Sequence, residues 1–269
     1  MATWEEAVLW LRSQPGQSEL VRACFYDDPL TDAAKRYLAS TEWEALREYL
    51  PSGRGCALDL GAGRGIVSYA LAHDGWVVTA VEPDASTIVG AGAIRQMASE
   101  SSLPIEVVQQ SGETLPFSAA RFDLVHCRAV LHHARDLTMF CREAYRVLKP
   151  GGRLIASREH VISQREDLSV FLQSHPLHHL YGGEHAYLLD DYKVAILSAG
   201  FRMAKVLNPY ESDINLFPDS RSALKQRISK RLCLPISGLI PDFFIDWLGL
   251  WMSQPGRHFT FIADKPAYG

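Results

Sequence analysis

The strongest constraint on the fold is a short apolar run that ends abruptly in three alternating glycines. Residues 56–65 read C-A-L-D-L-G-A-G-R-G, and an apolar helical pattern begins at Ile66. A buried strand that stops in a glycine-rich turn before a helix is typical of a nucleotide site, because glycine lets the backbone turn tightly and lets a ligand approach the main chain. Glycine-rich turns also join strands to helices for packing alone, so the pattern needs a second signal.

That second signal is an acid at the end of the next predicted strand. Residues 76–81 read W-V-V-T-A-V and lead into Glu82, Pro83 and Asp84. A carboxylate about twenty residues after the glycines can accept hydrogen bonds from both hydroxyls of a ribose. The dinucleotide spacing Gly-x-Gly-x-x-Gly is absent, and Asp59 would repel a pyrophosphate but suit a cationic amine. The pattern therefore predicts a nucleoside that carries an amino acid.

Five segments follow one another in a recognisable order. They are L-D-L-G-A-G-R-G from Leu58, V-E-P-D from Val81, G-E-T-L-P-F from Gly112, F-D-L-V-H-C-R-A-V-L-H-H from Phe122 and V-L-K-P-G-G-R-L-I from Val147. This series resembles the class I S-adenosylmethionine-dependent methyltransferases, in particular the ubiquinone/menaquinone-biosynthesis type (methyltransferase type 11). The resemblance spans roughly residues 55–160.

The resemblance implies S-adenosylmethionine as the cofactor and a set of residues that would bind it. These are Asp59, Gly61, Ala62, Gly63, Gly65, Glu82, Pro83, Ser111, Gly112, Glu113, Cys127 and Arg128. Many relatives carry an aspartate near the position of Ser111 that accepts from the adenine amino group. Here we expect the adenine to be bound by Ser111, by the backbone around Gly112, or by Glu113, although Glu113 could equally be a solvated turn acid.

The core alternates predicted strands and helices, which indicates an α/β fold with a mostly parallel sheet and helices on both faces. Strands are predicted near 56–60, 77–81, 105–109, 122–127, 153–157, 203–207 and 259–263. The resemblance implies a Rossmann-like seven-stranded sheet of order 3-2-1-4-5-7-6, with an antiparallel seventh strand. We expect residues 1–50 to form an N-terminal helical lid, and residues 51–269 to form the methyltransferase core, with substrate-cap insertions at 158–189 and 208–257.

Half of the ten histidines lie in the first predicted insertion, next to the end of the fifth strand. Histidine can accept a proton near neutral pH, so we expect this insertion to supply a general base. The candidate catalytic residues are Glu159, His160, His132 and His179. His132 and His133 are adjacent at the start of a predicted helix, so only one can face the cavity, and a structural histidine is the alternative. In the predicted lid, Tyr26 and Arg36 could contact the ligand. The alternative is that Tyr26 packs against a helix and that Arg36 is a solvated surface residue.

A metal site is an alternative interpretation of the histidine-rich insertion. His175, Glu184 and His185 could supply ligands, as could His178 or His179. The chain lacks the helical H-x-x-x-H and H-E-x-x-H spacings and any cysteine-assisted spacing, so we expect no metal. Its five cysteines are scattered without a C-x-x-C, which is typical of reduced thiols in a cytoplasmic protein.

Charge and hydropathy limit the classes of partner that the chain could bind. A formal net charge of -4 gives no case for nucleic-acid binding. Residues 220–251 join a basic helical stretch to an apolar one that is broken by prolines and acids, which disfavours a spanning helix. This segment could lie on an anionic membrane surface, form a homodimer face, or act as a lid.

These observations predict a methyltransferase for a small-molecule acceptor. The histidine-rich cap favours proton removal, and therefore a hydroxyl oxygen on a saccharide, natural product or quinone-like acceptor. One alternative is a C-methyltransferase acting on a lipid-soluble ring at the membrane surface. The other is a catalytically inactive regulatory module that binds S-adenosylmethionine.

Overall fold

The computed structural model describes residues 1–231 and 240–267. In this part of the chain an eight-stranded mixed sheet lies between layers of helices. The strands are β1 Cys56–Leu60, β2 Val77–Val81, β3 Ile105–Val108, β4 Phe122–Arg128, β5 Leu148–Ile162, β6 Tyr187–Leu188, β7 Arg202–Leu207 and β8 Arg257–Asp264.

The topology agrees with the prediction. The main path of the sheet is β3-β2-β1-β4-β5-β8-β7, and β8 is antiparallel to both of its neighbours. The two-residue strand β6 lies off this path and pairs with the end of β5. With β6 set aside, the order is the predicted 3-2-1-4-5-7-6, so the predicted Rossmann-like class is confirmed.

Alternation along the strands explains why helices cover both faces. Leu58 and Val125 point into one core, whereas Ala57 and Leu124 point into the core on the opposite face. Successive side chains of a strand point to opposite sides, and a parallel strand buried on both sides reads as a continuous apolar run. Such runs are the ones that the sequence presents at β1, β2 and β4.

The fifth strand is longer than predicted. It runs to Ile162, five residues past the predicted end at 157, because β8 pairs with it as far as Val161 and β6 pairs with its last two residues. Glu159 and His160 therefore lie within β5 and not in the predicted substrate-cap insertion. The cap that follows contains the helices α8 Asp167–Ser174 and α9 His178–Tyr181.

The remaining helices flank the sheet or cover its carboxyl edge. The N-terminal four are α1 Trp4–Ser13, α2 Ser18–Ala23, α3 Leu30–Leu38 and α4 Thr41–Arg47. Those of the core are α5 Ile66–His73, α6 Ala91–Glu100, α7 Leu137–Val147 and α10 Leu189–Ser198. Between β7 and β8 lie α11 Asp213–Leu216, α12 Arg221–Arg231 and α13 Asp242–Leu250.

The predicted membrane-facing segment, 220–251, is only partly described, since residues 232–239 lie outside the described residues. Within it, the basic helix α12 pairs with acids of α13: Arg221 with Asp242 and Asp246, and Lys225 with Asp242. Among the described helices, none has the length and apolar character needed to cross a bilayer.

Candidate cofactor and acceptor site

A cavity of about 420 Å³ opens where the first four strands end. That volume is within the range of about 300–1,000 Å³ that is usual for small-molecule sites. Ligands of open α/β sheets bind in the crevice beyond the carboxyl ends of the strands. Its walls come from the sheet, from the N-terminal helices and from the cap, which supply, among others, Asp59, Gly61, Ala62, Gly63, Glu82, Pro83, Ser111, Gly112, Glu113, Arg128, Trp4, Tyr26, His133 and Tyr181.

The glycine-rich loop forms the floor of this cavity. Gly61 has a positive φ of 73°, and an added Cβ would lie 2.5 Å from a methyl carbon of Val130. Gly63 also has a positive φ, and its N–H donates to the Glu82 carboxylate at 2.7 Å. Gly65 is different, because it lies outside the cavity lining. It is the residue just before α5, and an added Cβ there would lie 3.0 Å from Ile94. The first two glycines thus shape the ligand surface, while the third serves packing.

Two buried acids line the cavity. The Asp59 side chain accepts a hydrogen bond from the Ser68 hydroxyl at 2.6 Å and is 1% exposed. Glu82 accepts from the backbone N–H groups of Gly63 and Asp84, and burial raises its pKa to about 7. Both acids are acceptors that could serve hydroxyl or ammonium groups of a ligand.

Two arginines also line the cavity, but both are occupied by internal partners. The Arg64 guanidinium donates to the carbonyls of Phe25, Asp27 and Ile88 at 2.7–2.9 Å. Arg128 donates two hydrogen bonds to the fully buried Glu42 carboxylate. Since neither cation is free and two acids face the same space, the cavity suits a cationic ligand better than a phosphate.

Arg64 also explains how the N-terminal segment reaches the site. It belongs to the glycine-rich loop, and its contacts with Phe25 and Asp27 hold the segment after α2 over that loop. Tyr26 of this segment lines the cavity, and burial holds the pKa of its hydroxyl above the usual range. Arg36 instead pairs with Asp27 and lies outside the lining, so the structure brings Tyr26 to the site and not Arg36.

The loop after β3 contributes Ser111, Gly112 and Glu113 to the cavity wall. The Glu113 carboxylate accepts from the N–H groups of Arg135 and Asp136 at 2.6 and 3.0 Å. It thereby ties this loop to the start of α7. An added Cβ at Gly112 would lie 2.3 Å from the Phe140 ring, so the loop is pressed closely against that helix.

Of the two adjacent histidines, His133 faces the cavity and His132 points inward. Residues 131–133 form a single 3-10 turn rather than the start of a helix. The His133 Nδ1–H donates to the carbonyl of Gly183 at 2.9 Å, which leaves Nε2 with a lone pair. Sequence reasoning could not choose between the two because the choice depends on the turn.

The four predicted catalytic residues lie elsewhere. Glu159 is fully buried, and its two oxygens accept from the N–H groups of residues 130–132 and from Nδ1 of His132. His160 donates through Nδ1 to the carbonyl of Gly256, while His179 is exposed and its ring packs against Trp10. None of the four is part of the cavity lining. The structure therefore assigns Glu159 and His132 to the interior and His179 to the outer surface.

Cys127 likewise lies outside the cavity, although the resemblance places it among the cofactor-binding residues. Its side chain is completely buried in the core on the far side of β4 from Arg128, as strand alternation requires. Burial raises the pKa of its thiol well above the ordinary value. Among the described cysteines, Cys24, Cys56, Cys127 and Cys141 are all free thiols, and Cys233 lies outside the described residues.

The residues present fit S-adenosylmethionine. Its ribose has two hydroxyl donors and its methionine end has an ammonium group, while the cavity presents the Glu82 and Asp59 carboxylates as acceptors. Its sulfonium is cationic, and the two arginines that could repel it are already paired. The open glycine backbone at Gly63 leaves room, since an added Cβ there would meet nothing within 4 Å.

Comparisons with known proteins agree with this geometry. Residues 58–156 match a family model described as a methyltransferase domain. A ubiquinone biosynthesis O-methyltransferase of Coxiella burnetii is 36% identical over 100 residues, which is 37% of this chain and 42% of that protein. The enzyme of the same description from Xanthomonas oryzae is 33% identical over 150 residues, 55% of this chain and 61% of that protein. The chain thus spans about half the length of these curated relatives.

A solved structure extends the likeness to the whole fold. The putative methyltransferase of Bacillus halodurans C-125 is 22% identical, with a TM-score of 0.54, and the alignment covers 84% of this chain and 98% of that one. At this identity the likeness concerns the fold alone.

Proposed function

From the premise that this chain carries a class I S-adenosylmethionine-dependent methyltransferase domain of the ubiquinone-biosynthesis-like type, we propose that it methylates a hydroxyl oxygen of a small-molecule acceptor. The observation that carries the proposal is the placement of His133 in the lining of the cofactor cavity with its Nε2 lone pair unused. The acceptor would be a saccharide, a natural product or a quinone-like ring.

The cofactor half of the cavity follows from the acids and the glycines. Glu82 would accept from the ribose hydroxyls and Asp59 from the ammonium group, while Ser111 and its neighbours would hold the adenine. When bound, the cofactor supplies an electrophilic methyl group on a sulfonium sulfur. The chain has to orient the acceptor, exclude water and remove one proton.

His133 is suited to removing that proton. Its Nδ1–H is fixed by the carbonyl of Gly183, so Nε2 is the atom that accepts. A positioned general base is worth about 10²–10⁴-fold in rate. The phenol of Tyr26 and the ring of Trp4, which pack edge to face at 5.7 Å, belong to the same lining and would exclude water from the acceptor.

We assign the lid and cap roles to the segments that supply these groups. Residues 1–50 would be the lid, since Trp4, Phe25 and Tyr26 line the cavity from above the glycine loop. The part of the insertion 158–189 that follows β5 would cap the acceptor side through Tyr181. The insertion 208–257 would pack behind them, because Ile214 of α11 accepts from Arg158 at the end of the cavity-bearing sheet.

The experiment is a methyl-transfer assay on the purified chain with S-adenosylmethionine and a panel of hydroxylated acceptors, read as S-adenosylhomocysteine released and as the mass of the product. A product heavier by one methyl group and resistant to further modification at that hydroxyl supports O-methylation. Cofactor binding without turnover on any panel member favours the inactive-module alternative, and a methyl group found on carbon contradicts the oxygen assignment.

A second candidate is C-methylation of a lipid-soluble ring at a membrane surface. It is favoured by one observation: Phe243, Trp247, Leu250 and Trp251 of α13 and its end are 49–72% exposed. Aromatic side chains on a short helix beside a basic helix suit an interface between water and lipid. Co-sedimentation of the chain with anionic vesicles, compared with a Trp247→Glu/Trp251→Glu variant, tests it: binding lost in the variant supports this candidate, and absence of wild-type binding rejects it.

A further inference from the structure

Three side chains from distant parts of the sequence converge, two of them buried and one half-buried. They are His132 from the 3-10 turn, His160 from β5 and Glu184 from the loop after α9. One nitrogen of each imidazole and one oxygen of the carboxylate all lie within 4.8 Å of one another. His132 and Glu184 are 2% and 8% exposed.

The outer partners of both histidines fix which nitrogen faces the centre of this cluster. Nδ1–H of His132 donates to the Glu159 carboxylate at 2.8 Å, and Nδ1–H of His160 donates to the carbonyl of Gly256 at 2.8 Å. Each ring therefore keeps its lone pair on Nε2. A carboxylate or a carbonyl that fixes the far nitrogen is the usual outer support of a metal-binding histidine.

The third group completes an arrangement of facing acceptors. Oε2 of Glu184 is buried without a hydrogen-bond partner and lies 3.7 Å from Nε2 of His132. Two buried lone pairs that face each other repel unless a cation or a proton lies between them. The other oxygen of Glu184 is occupied, since it accepts from the Tyr181 hydroxyl and lies 3.6 Å from Nε2 of His175.

We propose that His132 Nε2, His160 Nε2 and Glu184 Oε2 bind a divalent transition-metal cation of the zinc class. Two imidazoles and one carboxylate are a usual protein donor set for zinc, with a fourth position for water. Bonds of about 2.0–2.2 Å place the ligand atoms of a tetrahedron roughly 3.4 Å apart, so the three side chains have to converge by small rotations.

His175 supports the site from outside. The N–H of Leu177 donates to its Nδ1 at 3.4 Å, so its Nε2 carries a proton and faces Glu184 as a donor rather than as a ligand. The cation would join the turn, the sheet and the cap, and through Glu184 it would orient Tyr181 in the cavity. This inference does not depend on the proposed methyl transfer.

The sequence predicts no metal, because it lacks ligands at local metal-binding spacings. Here the ligands stand 28 and 24 residues apart in the chain and meet only through the fold. Of the ligand candidates named from the sequence, Glu184 belongs to the cluster, whereas His175, His178, His179 and His185 do not. The geometry of three elements, rather than a motif, carries the site.

The test is metal binding by the purified full chain, stripped with a chelator and titrated with Zn²⁺ against a chromogenic competitor. We expect one zinc per chain in the wild type. The Glu184→Gln and His160→Gln variants should bind at least about 100-fold more weakly, since even outer partners of a metal site are worth 10–100-fold. The matched control is His73→Gln, which removes an exposed histidine of α5 and should bind zinc like the wild type.

Two further readouts need no enzyme activity. Co²⁺ should give the wild type the visible absorption of a tetrahedral site, and Zn²⁺ should raise the thermal midpoint of the wild type but not of Glu184→Gln, because a ligand stabilises only the fold that binds it. Substoichiometric zinc in the wild type overturns the proposal whatever the variants do. Wild-type affinity retained in Glu184→Gln and His160→Gln also overturns it, since the zinc would then sit elsewhere.

Discussion

The guanidinium of Arg128 donates two hydrogen bonds to the carboxylate of Glu42, at 2.6 and 2.8 Å, and thereby joins the end of β4 to the N-terminal helix α4. Glu42 is fully buried. Replacing one partner of a buried ion pair leaves an uncompensated charge and costs about 3–5 kcal/mol. We therefore expect Glu42→Gln to lower the free energy of unfolding by that amount in urea titration. Glu44→Gln, an exposed acid on the same helix, should change it by less than about 0.5 kcal/mol.

The same pair should contribute to acid sensitivity. Burial alone would raise the pKa of Glu42, but the charges of Arg128 and Arg158 outweigh it and hold that pKa below the ordinary 4.5. A carboxyl with a lowered pKa in the folded state stabilises the fold above its unfolded pKa, and this stabilisation is lost as the pH falls through the folded pKa. Below pH 4.5 the unfolding free energy of Glu42→Gln should depend less steeply on pH than that of the wild type. Equal slopes would contradict this assignment.

The glycine loop should tolerate alanine at one position and not at another. Gly61 has a φ of 73°, and an added Cβ would lie 2.5 Å from Val130, so Gly61→Ala should cost about 1–3 kcal/mol and weaken cofactor binding. Gly53 is the control, since an added Cβ there would meet nothing within 4 Å. Thermal unfolding with and without S-adenosylhomocysteine measures both effects. The prediction is contradicted if Gly61→Ala and Gly53→Ala have the same thermal stability and gain the same stabilisation from the ligand. The contact of the added Cβ with Val130 would then cost no stability.

His133 should affect turnover rather than cofactor binding. Removing a general base costs about 10²–10⁴-fold in kcat, so His133→Ala should show that loss with an unchanged Kd for S-adenosylhomocysteine. The exposed His73→Ala serves as the matched histidine control. An unchanged kcat in His133→Ala would contradict the assignment of His133 as the base. The base would then be another residue, or the acceptor would need none.

Arg64 should hold the N-terminal segment in place over the glycine-rich loop. Its three hydrogen bonds to carbonyls of Phe25, Asp27 and Ile88 are lost in Arg64→Met, which leaves those carbonyls without the cation. We expect faster proteolysis within residues 1–50 and at least about tenfold weaker cofactor binding, since hydrogen bonds to charged groups are worth about 1.5–3 kcal/mol each. Arg95→Met, at an exposed position of α6, is the control. Unchanged cleavage in this region would show that Arg64 does not restrain the N-terminal segment.

Site residues that belong to local motifs could be predicted from the sequence. The glycines at 61 and 63 and the acid at 82 lie in local motifs, and the structure brings all three to one cavity. The alternation of strands and helices predicted the mostly parallel sheet, and the family resemblance implied the order of its strands. These features depend on short spacings, which a sequence displays directly.

The parts that were missed depend on orientation or on distant partners. The side of β4 on which Cys127 lies is set by strand alternation, and the choice of His133 over His132 is set by a 3-10 turn. Glu159 is a predicted catalytic residue because it lies next to the end of the fifth predicted strand in the histidine-rich insertion, yet it accepts four hydrogen bonds in the interior. The His132–His160–Glu184 cluster unites three segments, so no spacing could indicate it.

The most direct test of the account is calorimetric titration with S-adenosylhomocysteine of the wild type and Glu82→Gln, at pH 8 and pH 6. Burial raises the pKa of Glu82 to about 7, so at pH 8 the carboxylate accepts from the ribose and at pH 6 it is mostly protonated. Wild-type affinity should therefore fall by up to about tenfold per pH unit below 7. Methylthioadenosine, which has the ribose but lacks the α-amino group of the amino acid, should show the same fall and thereby exclude titration of that ligand amine.

In Glu82→Gln we expect a loss of about 1.5–3 kcal/mol of binding free energy at pH 8, because a hydrogen bond to a charged group is removed, and no further dependence on pH. This outcome would place the ribose at Glu82 and the cofactor in the cavity above the glycine loop. No binding by the wild type, or a Glu82→Gln variant that binds as tightly as the wild type at pH 8, would contradict the central claim that this cavity is a site for S-adenosylmethionine.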